Sequence, residues 1–173
     1  MGNKDALTEN EFRRCRKSVR EFILAAGSIQ SDLRKISKDI LKLKAVPTID
    51  VIDGEQDINR SSKILKLYQR RRSLLSRYKL AASDAHWVAE GLYRDGTAEL
   101  MVHPAIMELR NGDLRVAAVR RLLAKAYTRR NEAALILEQV DTLLKEIRDN
   151  QRALEYQVLL YKEKVWPSKH GVE

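Results

Sequence analysis

Between Ile58 and Ser83 the chain holds Arg60, Lys63, Lys66, Arg70, Arg71, Arg72, Arg77 and Lys79, and no Asp or Glu. Between Leu114 and Asn131 it holds Arg115, Arg120, Arg121, Lys125, Arg129 and Arg130, again without a carboxylate. A smaller group, Arg13, Arg14, Arg16, Lys17 and Arg20, lies near the start. Charges on a solvated helix normally alternate in sign, because opposite charges three or four residues apart stabilise it and like charges repel. Two acid-free stretches forgo that help, and the chemistry they suit is attraction to a polyanion. Nucleic-acid phosphates are the simplest such partner. An anionic membrane surface or an acidic protein are others, and a solvated basic face without a ligand is the plain alternative.

Phosphate contact requires only positive charge within reach, so it confers affinity without reading bases. The residues expected to hold duplex DNA phosphates are Lys63, Lys66, Arg70, Arg71, Arg72, Arg77 and Lys79, helped by Arg120, Arg121 and Lys125. Lys63, Lys66, Arg70 and Arg77 can share one helical face, since their separations approximate whole turns. Tyr68 and Tyr78 lie among them, where bases could stack. Their spacing on the apolar face assigns them to packing instead.

Catalytic chemistry finds little support. His86, His103 and His170 are far apart, and none has a second His or Cys three or four residues away. No phosphate-cradling Gly-rich loop, nucleophile elbow or repeated carboxylate pair is present. Cys15 falls on an apolar helical face and reads as a small buried hydrophobe; His86, beside Trp87, reads as partly buried. Asp50 and Asp53 precede Gly54 at the wrong spacing for a calcium loop. The expectation is a non-enzymatic protein with no metal, no cofactor and no catalytic residue.

The elements that must position these charges follow from composition. The chain has 173 residues, 33 Lys+Arg against 24 Asp+Glu, a formal charge of +9, and only seven Gly and three Pro. With 44% hydrophobic residues and few turn formers, it is neither disordered nor a β-sandwich or barrel. No apolar run approaches the ~18 residues of a membrane span. The start resembles a myristoylation signal except that Ala6 stands where Ser or Thr is needed. A cytoplasmic, reducing setting is expected.

Thr8 and Glu11 form a capping box, and Phe12, Cys15, Val19, Phe22, Ala26, Ile29, Leu33, Ile36, Ile40 and Leu43 follow at alternating three and four spacing. This predicts one helix over 8–45, ended by Pro47. A second helix is expected over 59–91, stopped by Gly91, with a connection over 92–103 turning at Asp95-Gly96. Pro104 opens a short helix, 104–110, and the longest helix runs over 113–165 until Pro167. Its seam includes Val119, Leu123, Arg130, Leu137, Val140, Leu144 and Gln151 over about 75 Å. Arg130 and Gln151 share a heptad position where polar residues commonly fix register and strand number. The result is one all-α domain over 1–173 with flexible termini, an elongated, coiled-coil-like bundle of three long helices and one short one. Because the last helix outruns the first, self-association through the seam is expected.

Residues 68–124 add a resemblance. A helix with spaced tyrosines, a small-residue segment ending in Gly91-Leu92, then His103-Pro104-Ala105, Leu109-Arg110 and Leu122-Leu123-Ala124 resembles small terminase subunits of tailed phages. The resemblance covers about a third of the chain. It implies a helical ring that recognises viral DNA and delivers it to a large subunit carrying the ATPase and nuclease. Many members bind DNA through an N-terminal helix-turn-helix, whereas residues 8–45 here read as one heptad helix. The rival expectation is a structural or adaptor bundle docking into a larger protein assembly through its seams.

Overall fold

A computed structural model describes residues 4–43, 46–49 and 51–165, with all their side chains except those of residues 30–32. The chain is all-α: α1 (Glu9–Ser18), α2 (Arg20–Ser28), α3 (Gln30–Leu41), α4 (Glu55–Met101), α5 (Pro104–Met107), α6 (Gly112–Leu122) and α7 (Ala124–Val165). No strand occurs among the described residues, and Lys4 and Leu109 form an isolated bridge. The two long helices, α4 and α7, pack together. The chain divides into two compact units: Met1–Asp39 with Leu80–Leu137, and Ile40–Lys79 with Glu138–Glu173. Both long helices contribute to both units.

In the first unit the capping box is in place: Thr8 N donates to Glu11 Oε2 at 2.9 Å, and Glu11 N donates to Thr8 Oγ1 at 3.3 Å. The expected unbroken helix over 8–45 is instead three segments ending at Leu41. Single residues, Val19 and Ile29, interrupt it, and both belong to the apolar seam. Val19 lies at φ −101°, ψ 18°, yet Val19 N still donates to Cys15 O and Ile23 N to Val19 O, at 3.3 and 3.2 Å. The helix therefore bends without losing its ladder. That bend suits a helix whose apolar seam must close over a compact core, because packing outweighs straightness. Cys15, Val19 and Ile23 are buried there with Leu100, Ile106, Leu109, Val119 and Leu123.

The second helix departs furthest from expectation. It starts at Glu55 and continues through Gly91 and Asp95-Gly96 to Met101, so no connection occupies 92–101. A glycine inside a helix costs about 1 kcal/mol relative to Ala, which tertiary packing can exceed. At Gly96 the reason is visible: a Cβ there would lie 2.9 and 3.0 Å from the two terminal methyls of Leu123, which is fully buried. Glycine lets α4 approach the α6–α7 junction. Ala89 and Ala82, one and two heptads earlier, are also fully buried, as is Ala133 on α7. Small residues along one edge allow two helices to lie close.

The short helix is shorter than expected, ending at Met107. His103 caps it with Pro104 at its first position, and Arg115 reaches back to the carbonyls of Leu109 and Met107 at 3.1 and 3.0 Å. The last helix is bent rather than continuous. Asn111 caps α6, its Oδ1 accepting from Leu114 N at 2.9 Å, and Leu123 separates α6 from α7. Across that joint Leu123 N donates to Val119 O and Tyr127 N to Leu123 O. The stops expected at Pro167 and the position of His170 lie outside the described residues.

The second unit is leaner. Ile64, Tyr68, Leu75, Val140, Ile147 and Leu154 are buried, joined by Ile52 from the irregular segment before α4. The Tyr68 hydroxyl donates to Pro47 O at 3.3 Å, tying that segment down, and burial pushes the Tyr68 phenol up. Tyr68 is thus a packing residue and not a stacking platform.

Candidate nucleic-acid interface

In the second unit, α4 turns Ile64, Tyr68 and Leu75 inward, so the opposite positions must face solvent. Lys63, Lys66, Arg70 and Arg77 are all exposed, and they fall along that outer face. Among the described residues, no hydrogen bond or ion pair engages any of these four side chains. From Lys63 to Arg77 the row spans about 21 Å at 1.5 Å per residue. That length matches about six steps of 3.4 Å along one DNA strand.

The remaining cations of this stretch are not in the row. Arg71 is half-buried and lines an inner cavity with Tyr68, Glu146 and Ile147. Arg72 is exposed on a different side. Lys79 reaches α7, where its Nζ lies 2.7 Å from Asp141 Oδ1; both side chains are about half exposed, so the pair is screened and weak. The structure therefore brings together four of the seven cations expected here.

The second acid-free stretch, in the first unit, has another explanation. Arg120 lies over the Tyr127 ring and Arg121 over the Phe12 ring, each at 5.0 Å from the centroid. Arg130 is held between Tyr93 and Tyr127, at 5.0 and 4.9 Å, and pairs with Glu90 at 3.3 Å. Arg129 pairs with Glu132. A guanidinium over a ring is attracted by the ring's quadrupole and needs no carboxylate on its own helix. Aromatic partners and Arg115's carbonyls therefore account for most of this stretch. Arg120 and Arg121 remain exposed at their outer edges, whereas Lys125 stands among the basic residues of α1 and α2.

The seam residues are covered from within the chain. Val119, Leu123 and Val140 are buried, while Leu137, Leu144 and Gln151 are half-buried. Gln151 donates to Glu155 on its own helix at 2.8 Å, and Arg130 is occupied as described. The polarity of both is met by partners within the chain.

One pairing escaped the sequence. Cys15 Sγ lies 3.4 Å from His103 Nδ1, across 88 positions. A Cys–His pair suggests a nucleophile, but this thiol is fully buried and its pKa is pushed up by desolvation, away from thiolate. The same Nδ1 also accepts from Ala105 N at 3.3 Å, so the imidazole caps α5. No local spacing could have revealed the pair. His86 is half-buried, with Nδ1 3.2 Å from Arg130 O. Among the described residues no three His, Cys, Asp or Glu side chains converge as a metal site would need, and no helix is long and apolar enough to cross a membrane.

Comparison with protein-family models, curated proteins and solved structures finds no match to this chain.

Proposed function

We propose that the protein is a non-enzymatic, self-associating component of viral DNA packaging that holds duplex DNA by its phosphates and hands it to a motor subunit in the host cytoplasm. The observation that carries this reading is the row of Lys63, Lys66, Arg70 and Arg77: four unpaired cations in line on a helix without a carboxylate from 59 to 83. The resemblance to small terminase subunits supplies the packaging context and the large-subunit partner. Exposed Tyr156, Leu159 and Leu160 on α7 support self-association, since large apolar side chains in water favour a covering surface.

The test is duplex binding against salt. Four neutralised phosphates give a slope of log affinity against log salt near −3.6. Arg70→Glu with Arg77→Glu should weaken binding at least tenfold and flatten that slope. Duplex binding insensitive to salt, or absent at low salt, removes the reading.

One observation favours the rival adaptor role. Leu80 and, two turns later on α4 in the first unit, the adjacent Trp87 and Val88 are 65%, 73% and 54% exposed. Under that reading a protein partner is lost on Trp87→Ala and kept on Arg70→Glu with Arg77→Glu.

A further inference from the structure

In the first unit, α1, α2 and the first turn of α7 line an open groove of about 350 Å³. Arg13, Arg16, Lys17 and Arg20 line one side and Lys125 the other. Lys125 is distant in sequence from the other four, and only the fold makes the five one site. No carboxylate lines the groove. Arg13 alone is paired, its Nε 3.1 Å from Glu9 Oε1, in a pair whose side chains are more than 70% exposed. Five cations in a concave space form a strong field for negative charge, because the flanking protein lowers screening. Arg16, Lys17, Arg20 and Lys125 are exposed and, among the described residues, carry no hydrogen bond or ion pair.

The groove also has an apolar wall, Ile23 and Leu24, with Leu24 61% exposed. A space of this volume is about 7 Å across if roughly isometric, about one nucleotide step of an extended strand, enough for two phosphates. A duplex is stiff and convex and presents phosphates at its rim, so it cannot press sugars or bases into such a pocket. A single strand can bend into it. Arginine planes stack on unpaired bases, and an apolar surface accepts a sugar or base edge.

We propose that this groove binds single-stranded nucleic acid, a frayed end or unwound segment, separately from the duplex-binding row on α4. The inference takes its ligand class from the nucleic-acid reading above but uses none of the four residues of the α4 row, and it reassigns Lys125 from the duplex to this groove. Two phosphates neutralised on a single strand give a salt slope near −1.4, against about −3.6 for the duplex row.

The experiment measures fluorescence anisotropy of a labelled oligothymidylate of about ten nucleotides and of a hairpin duplex, with the full-length chain. Arg16→Glu, Lys17→Glu and Lys125→Glu together should weaken oligothymidylate binding at least tenfold and change duplex binding less than threefold. Leu24→Ser, at an exposed position the fold tolerates, should weaken the strand about threefold and leave the duplex unchanged. Arg70→Glu with Arg77→Glu should show the opposite selectivity, and circular dichroism confirms that each variant stays helical. Loss of duplex binding alone sinks the packaging reading and leaves the groove standing. The groove proposal is overturned if the wild-type chain ignores the oligonucleotide at low salt. It is also overturned if the triple variant weakens strand and duplex equally, or if inorganic tripolyphosphate binds as tightly as the strand and Leu24→Ser changes neither.

Discussion

Removing the Arg130 guanidinium should destabilise the first unit in proportion to two ring contacts and one ion pair. The guanidinium carbon sits 5.0 and 4.9 Å from the Tyr93 and Tyr127 centroids, and those rings lie 5.5 Å apart at 53°. The Arg130 side chain is 25% exposed and its partner Glu90 43%. Partial desolvation places each ring contact at about 1 kcal/mol, and the half-exposed ion pair adds less than about 1 kcal/mol. Arg130→Ala should therefore cost about 2–3 kcal/mol, which is roughly 4–12 °C in Tm for a chain of this size. Arg130→Lys keeps the charge but loses the flat face, and should cost about half as much. Chemical and thermal denaturation followed by circular dichroism measure both. A double-mutant cycle with Tyr127→Leu should give a coupling of about 1 kcal/mol. A seam residue that set strand number would instead change molar mass by light scattering while leaving that coupling near zero. An Arg130→Ala variant within about 0.5 kcal/mol of wild type, or strict additivity with Tyr127→Leu, refutes the clamp.

The two glycines of α4 should respond oppositely. Nothing lies near a Cβ at Gly91, so Gly91→Ala should stabilise by about 0.5–1 kcal/mol through helix propensity. At Gly96 the new methyl meets buried Leu123 at 2.9 Å, and overpacking of about 1–3 kcal/mol should exceed that gain. Urea midpoints rank the pair, and a Gly96→Ala variant more stable than Gly91→Ala would contradict the close approach. Glu11 provides a pH test. Hydrogen bonding to the Lys4 ammonium, then to Thr8, lowers its carboxyl from 4.5 to about 2. The contribution is complete above the ordinary value and is lost as pH falls from about 4.5 through about 2. Wild type should therefore exceed Glu11→Gln in Tm near neutrality, and the gap should close across that acid window. A gap unchanged at low pH would show that the charged Lys4–Glu11 contact is not its source.

Local pattern carried much of the fold. The three-and-four spacing from Phe12 to Leu43 placed Cys15, Val19, Ala26, Leu33 and Ile36 in the interior, and all five are buried. Thr8 and Glu11 announced their capping box, and Pro104 its helix start, because caps depend on neighbours a turn away. The shared face of Lys63, Lys66, Arg70 and Arg77 was equally a matter of periodicity. Gly91 and Asp95-Gly96 misled for the opposite reason. A glycine that breaks a helix and one that admits a neighbouring helix look alike until Leu123 is in place.

What the sequence determined by itself is the all-α class, the inward faces of its helices and the four-cation row, since each depends on separations of a few residues. Only the tertiary structure decided that Arg130 stacks between tyrosines, that Cys15 meets His103, and that Lys125 joins Arg16, Lys17 and Arg20. Those outcomes depend on which helices touch and how closely, and that is set by the volumes of buried side chains far apart in the chain.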